Sequence, residues 1–222
     1  MPKIEVNNYY FSTQNHNMAY VMGFLAADGN ISKEGNRIQS QLSIKDRPQL
    51  EMIYNEIGGS KVYEYESNGY LCCGWHCYSA QIKRDLAEYN IIPHKTGKLS
   101  LPKKLSKEYW KDFIRGYFDG DGSVFKDEQG IRLSITSANR EILDDINSFF
   151  KENGIKPSTI YADHNNVCIK FRSQASIDIY NLLYYDDCLC LIRKKQRFLE
   201  LIKEKYNSKR LRNFPKEVEE IC

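Results

Sequence analysis

The chain has 222 residues and a mass of 26.0 kDa, room for one large domain or two fused small ones. Hydrophobic residues make up 41% and charged residues 27%, with mean hydropathy -0.59, which excludes a disordered or collagen-like chain. A net charge of +3, from 32 Lys and Arg against 29 Asp and Glu, permits a nucleic-acid partner without arguing for one.

No apolar run approaches the roughly 20 residues a membrane helix needs, and Met1 to Asn8 lack a signal-peptide core, so no membrane partner is expected. The expected location is intracellular, in the cytoplasm or wherever the host DNA lies. Seven cysteines, an odd number with no C-x-x-C pair, point to free thiols in place of a disulfide framework or zinc site.

In chain order, the first predicted element is a helix through YVMGFLAADGNI (Tyr20 to Ile31), with Ala19, Gly23 and Ala27 on one face and Asp28-Gly29 at its end. Next comes a strand with Arg37, Gln39, Gln41, Ser43 and Lys45 on one face and Ile38, Leu42 and Ile44 on the other. A helix over about Pro48 to Ile57, two further strands and a closing helix complete the unit. A basic stretch follows, Lys95, Lys98, Lys103, Lys104, Lys107 and Lys111, interrupted by Pro93, Gly97 and Pro102.

The pattern then repeats. FIRGYFDGDGSV (Phe113 to Val124) matches the first helix, with Gly116 and Gly120 spaced alike and Asp121 lying 93 positions after Asp28 (121 minus 28). Leu133-Ser134-Ile135 matches Leu42-Ser43-Ile44, and Ile142 and Ile146 match Leu50 and Ile53. Arg132, Ser134 and Thr136 oppose Ile131, Leu133 and Ile135; Cys168, Lys170 and Arg172 oppose Val167, Ile169 and Phe171. A helix is predicted over Arg140 to Asn153. A basic helix or arm from Arg193 to Arg212, including Arg193, Lys194, Lys195 and Arg197, follows the repeat. The expected fold class is α+β, a duplicated αββαββα unit, with residues 1–104 as the first repeat with its linker and 105–222 as the second.

Sheet faces lined with Arg, Lys, Gln, Ser and Thr carry the donors that meet base edges and phosphates in a major groove, or are simply solvated. Glycine costs roughly 1 kcal/mol relative to alanine inside a helix, so Gly116 and Gly120 need an offsetting gain, expected from close packing of the two glycine-bearing helices. That packing would bring Asp28 and Asp121 together at the negative ends of two helix dipoles. A divalent cation would neutralise them.

Val21-Met22-Gly23-Phe24-Leu25-Ala26-Ala27-Asp28-Gly29 and Ile114-Arg115-Gly116-Tyr117-Phe118-Asp119-Gly120-Asp121-Gly122 each align without gaps to the nine-letter motif of the LAGLIDADG homing endonucleases. The chain resembles that family over roughly residues 15–205, with support from Lys45-Asp46, Pro93-His94-Lys95-Thr96 and Leu189 to Lys195. The resemblance implies a pseudo-twofold saddle of antiparallel sheets along a DNA major groove, with the two motif helices packed at its centre in one monomer. It implies a site-specific endonuclease making double-strand breaks in a long asymmetric DNA site by metal-dependent hydrolysis. Asp28 and Asp121 would bind Mg²⁺ or a similar cation such as Mn²⁺, helped by the carbonyls of Ala27 and Gly120, and Asp119 would be structural. Lys45 is the first candidate to assist at the cut phosphate, and Lys98 or Lys194 would reach in for the second half. Expected DNA contacts are Arg37, Gln39, Gln41, Ser43, Lys45, Arg132, Ser134, Thr136, Lys170, Arg172, Arg193, Lys194 and Lys195.

An RNA maturase or a non-cleaving DNA-binding regulator of the same fold is the alternative expectation. An intein is disfavoured, because the nucleophile and His-Asn terminus of a splicing domain are not seen. His76 and His94 read as surface or strand polar groups, and Tyr184-Tyr185 as packing residues.

Overall fold

The computed structural model describes residues 4–93, 97–128, 130–204, 213–215 and 217. The first repeat runs α1 (His16–Asp28), β1 (Gly29–Ile31), β2 (Arg37–Ser43), α2 (Arg47–Ile57), β3 (Tyr63–Ser67), β4 (Tyr70–Tyr78) and α3 (Ala80–Glu88). The second runs α4 (Trp110–Asp121), β5 (Gly122–Asp127), β6 (Gly130–Ser137), α5 (Arg140–Glu152), β7 (Ile160–Asp163), β8 (Asn166–Arg172) and α6 (Gln174–Leu183), with α7 (Ile192–Lys203) after it. The expected α+β duplication of an αββαββα unit is therefore the architecture found.

Each repeat builds an antiparallel four-stranded sheet in the same order, β1-β2-β4-β3 and β5-β6-β8-β7. Because side chains alternate across a pleated strand, Ile38 goes into the core while Gln41 and Ser43 on the opposite face are exposed. Beneath the first sheet lie Leu50, Ile53 and Ile57 of α2 with Trp75, whose indole Nε1 donates to the Gly58 carbonyl at 2.8 Å and so is satisfied where it is buried. Beneath the second sheet lie Ile142, Ile146 and Phe150 of α5 with Ile169 and Phe171.

Two compact units divide the chain: Met1–Lys95 with Pro102–Gly120, and Thr96–Leu101 with Asp121–Cys222. Packing and sequence repeat are thus different divisions. All of α4 except its last residue, Asp121, belongs to the first unit. The short segment before Pro102 is tied into the second, where the Leu99 carbonyl accepts from Asn139 Nδ2 at 2.6 Å and the Leu101 amide donates to Asp145 at 2.9 Å. No described helix is long and apolar enough to cross a membrane.

Candidate nucleic-acid interface

α1 starts where the Asn15 side chain accepts from the Met18 amide at 2.9 Å, satisfying one orphan donor of the first turn. Every residue from Met18 to Ala26 is buried, as a helix that is apolar on all sides requires. α4 is buried from Asp112 to Asp119, although that stretch holds three charged residues.

Within the first unit the two helices meet through their glycines. A Cβ on Gly23 would stand 2.0 Å from the Phe113 carbonyl oxygen, and one on Gly116 would stand 2.0 Å from that of Tyr20. A Cβ on Gly120 would lie 2.4 Å from Ala27 Cβ and 3.2 Å from Asp28 Oδ2. The small-residue pattern therefore does what its spacing predicts, and it lays the half-buried Asp28 carboxylate against the last turn of α4.

The charges buried in α4 are satisfied inside the same unit. Asp112 accepts from Arg115 at 2.8 Å and from His16 Nδ1 at 2.7 Å, and the Arg115 guanidinium lies 5.1 Å from the centre of the Tyr20 ring. The Tyr20 hydroxyl donates to Asp119 at 2.8 Å and accepts from Gln49 Nε2 at 2.9 Å. Asp119 is thus a structural acid, as expected. Sequence reading missed the Asp112–Arg115 pair, although an arginine at the second position of an apolar motif was a signal that a buried partner must exist.

At the helix ends the structure differs from a simple cap. Gly29 has φ -83 and ψ 148, extended and not left-handed, because β1 begins there without an intervening loop. Glycine is needed for space: a Cβ would lie 2.5 Å from the Leu25 carbonyl oxygen. The Asp28 carbonyl accepts from Ser40 Oγ at 3.1 Å, tying the helix end to β2. Asp121 is exposed and ends α4 in the same manner, with Gly122 opening β5.

Donors at these ends are oxygens only: carboxylates and carbonyls of a last turn that a helix leaves without internal partners. Among the described residues no group of three or more His, Cys, Asp or Glu side chains gathers into a metal cage. Such a set suits a hard cation such as Mg²⁺, Mn²⁺ or Ca²⁺ that keeps water ligands, and does not suit zinc.

The lysines fall in three places. β2 stops at Ser43, so Lys45 is exposed on a 3₁₀ turn (Ile44–Asp46) beyond the strand and not at its end. Lys98 is exposed on the segment anchored to α5. Lys194 is buried at the start of α7, and its Nζ donates to the Gly122 carbonyl at 2.6 Å, one residue from Asp121. Sequence could offer Lys194 only as a guess, since a long-range fold contact sets its place.

On the first sheet Arg37 and Gln39 are half-buried while Gln41 and Ser43 are exposed. On the second, Arg132 is 3% exposed and bound to Asp127 at 2.6 Å, and Ser134, 7% exposed, shares a hydrogen bond with Ser123 at 2.9 Å. Thr136 is half-buried. The accessible donors there are on β8: Lys170, whose Nζ lies 5.0 Å from the Tyr161 ring centre, and exposed Arg172. Both line a concavity of about 510 Å³ with Ser158, Thr159 and Tyr161. Arg193 is exposed, and Lys195 pairs with Glu217 at 3.4 Å. Tyr184 packs as expected, stacked on Tyr180 at 5.0 Å. His94, Lys95 and Thr96, with Lys205, Lys209, Arg210 and Arg212 of the basic arm, lie outside the described residues.

Glycine-notched buried helices, each ending in an aspartate and running straight into a four-stranded antiparallel sheet, define a two-motif LAGLIDADG architecture. Residues 108–214, the second repeat, match the family model of the LAGLIDADG-like domain. In fold it is similar to the LAGLIDADG homing endonuclease I-GzeII in complex with its DNA target, 15% identical, covering 94% of this chain and 96% of that one at TM-score 0.57. It is similar also to the full-length DUF199/WhiA protein of Thermatoga maritima, 14% identical, covering 87% of this chain and 64% of that one at TM-score 0.54. I-SmaMI, bound to uncleaved DNA in the presence of calcium ions, is 14% identical, covering 86% of this chain and 89% of that one at TM-score 0.53. Two curated sequences are similar: an uncharacterized protein of Methanocaldococcus jannaschii, 24% identical over 67% of this chain, and the probable translation initiation factor IF-2 of Thermococcus kodakarensis, 28% identical over 69%. The matched segments span 58% and 13% of those two relatives.

Proposed function

We propose that the chain is a site-specific DNA endonuclease of the homing type, which makes double-strand breaks in a long asymmetric target by divalent-metal-dependent phosphodiester hydrolysis. The observation that carries this reading is the retained aspartate at the end of each motif helix, with Asp28 Oδ2 held against the Gly120 turn by glycine-mediated packing. Carboxylates with no function at the negative end of a helix dipole are unfavourable, and two in matched positions are not expected by accident.

In this reading Asp28 and Asp121, with the Ala27 and Gly120 carbonyls, would hold Mg²⁺ or Mn²⁺, which when bound supplies charge stabilisation and an activated water. Lys45 serves one cut phosphate, and Lys194, with Lys98 as the other candidate, serves the second. Gln39, Gln41 and Ser43 on one sheet and Lys170 and Arg172 on the other contact the duplex. Single-chain relatives solved with DNA support a double-stranded target and one chain per site.

The test is Mg²⁺-dependent cleavage of a randomised duplex library, with cut ends sequenced and the Asp28→Asn and Asp121→Asn proteins as controls. Specific breaks that vanish in both controls while binding persists are expected. Duplex that is selected and bound but never cut would replace this reading with a DNA-binding protein of the same fold.

A further inference from the structure

The first sheet carries, on the same face as Gln39 and Gln41, a continuous aromatic column that the endonuclease reading does not use. Registration puts Gln39 opposite His76 and Gln41 opposite Gly74, while Tyr63 lies opposite Gly74 from the other side and Tyr65 opposite Cys72. Directly opposed residues of antiparallel strands share a face. Ring centres follow one another along it, Tyr65 to Tyr63 at 6.0 Å, Tyr63 to His76 at 5.8 Å and His76 to Tyr78 at 5.5 Å.

Gly74 shapes this column. A Cβ there would meet the Tyr63 ring at 2.6 Å, so the missing side chain lets that ring lie across β4. The column carries no charge near neutral pH: burial and the neighbouring Arg37 hold His76 below the ordinary histidine range, and burial raises the Tyr65 phenol. The second sheet presents cations on its inner strand β8, Lys170 and Arg172.

Resting on the endonuclease reading, we infer that the first sheet selects an A·T-rich half-site, its aromatic column packing on thymine methyl groups while Gln39 and Gln41 face adenine. In a major groove only thymine presents a methyl group, glutamine pairs bidentately with adenine N6 and N7, and guanine is read chiefly by Arg or Lys. Along Gln39 and Gln41 the amide-and-aromatic face therefore has the chemistry of A·T pairs, and the guanine-reading chemistry on it is confined to Arg37, opposite Tyr78 at the end of the column. A single-stranded base platform would use the same rings, but the two glutamines beside them match the edge of a paired adenine.

The test uses the full chain and the duplex it selects from the randomised library, with thymines replaced by uracil in one half at a time. Uracil keeps every hydrogen-bonding group and removes only the methyl. We expect binding to one half to weaken about fourfold per contacted methyl, while the other half is insensitive. That sensitivity should disappear in Tyr63→Ala and in Tyr78→Ser, and persist in Arg172→Ala. Tyr78 is 62% exposed, so its replacement leaves the fold intact. Equal binding of thymine and uracil duplexes, or undiminished sensitivity in both tyrosine variants, overturns the inference while leaving the endonuclease reading standing. Selection of no duplex at all, or tighter binding of single-stranded RNA, overturns both.

Discussion

The carbonyl oxygen of Phe113 occupies the space a side chain on Gly23 would take, 2.0 Å from the Cβ position, and Tyr20 stands in the same relation to Gly116. Neither contact can relax by turning a side chain, because the opposing atoms are backbone. Gly23→Ala and Gly116→Ala should each destabilise the protein by about 2–3 kcal/mol or more through overpacking, read as a lower urea midpoint with unchanged slope.

Arg115 and Asp112, 1% and 0% exposed, form a buried pair whose members depend on each other. Arg115→Met alone should cost about 3–5 kcal/mol by taking the arginine away from the buried Asp112 carboxylate, and the double variant Asp112→Leu with Arg115→Met should recover much of that loss. Denaturant titration of Arg115→Met, Asp112→Leu and the double variant checks the non-additivity. An additive double variant would show that the pair contributes nothing as a pair.

Lys194 Nζ is pinned to the Gly122 carbonyl beside the second motif acid. Lys194→Met should slow cutting of one strand about a hundredfold in single-turnover assays, so that nicked duplex accumulates, with little change in affinity. Equal slowing of both strands would remove it from a strand-specific role.

His76 titrates below the ordinary histidine value because burial and Arg37 disfavour its cation. Between the lowered folded value and the ordinary unfolded one, the unfolded chain binds more protons, so this residue's contribution to stability is present above the unfolded value and is lost as pH falls through the folded one. Stability measured from pH 8 down to pH 5 should fall less steeply in His76→Gln than in the parent.

Burial pushes the Cys77 thiol up to about 12, and Cys73 and Cys168 are also buried, whereas Cys72, Cys188 and Cys190 are partly accessible. Among the described cysteines, native alkylation at pH 8 should label only those of the second group, and unfolding should make Cys77 reactive. Peptide mapping by mass spectrometry distinguishes the two.

Periodicity made most of this fold legible. Alternation in Arg37 to Ser43 and Ile131 to Thr136 located two central strands, and the matched motifs located both buried helices. Alternation identifies a face but not what covers it, so the burial of Arg132 under its pair with Asp127 was not visible. The D-G pairs marked the helix ends, but not that Gly29 would be extended and open a strand, with its Cβ position crowded by the Leu25 carbonyl. Lys194 sits beside Gly122 because α7 packs on β5, a contact between residues 72 positions apart that no local pattern encodes.

The assignment of most of α4 to the first unit constrains the history of the gene. Fission between residues 104 and 105 would part Gly23 from Phe113 and Tyr20 from Gly116, leaving one product with an uncovered helix groove and the other with an unmatched helix. Such fragments would be obligate partners rather than independent modules, so the fused arrangement, once made, is one that simple scission of the reading frame does not reverse.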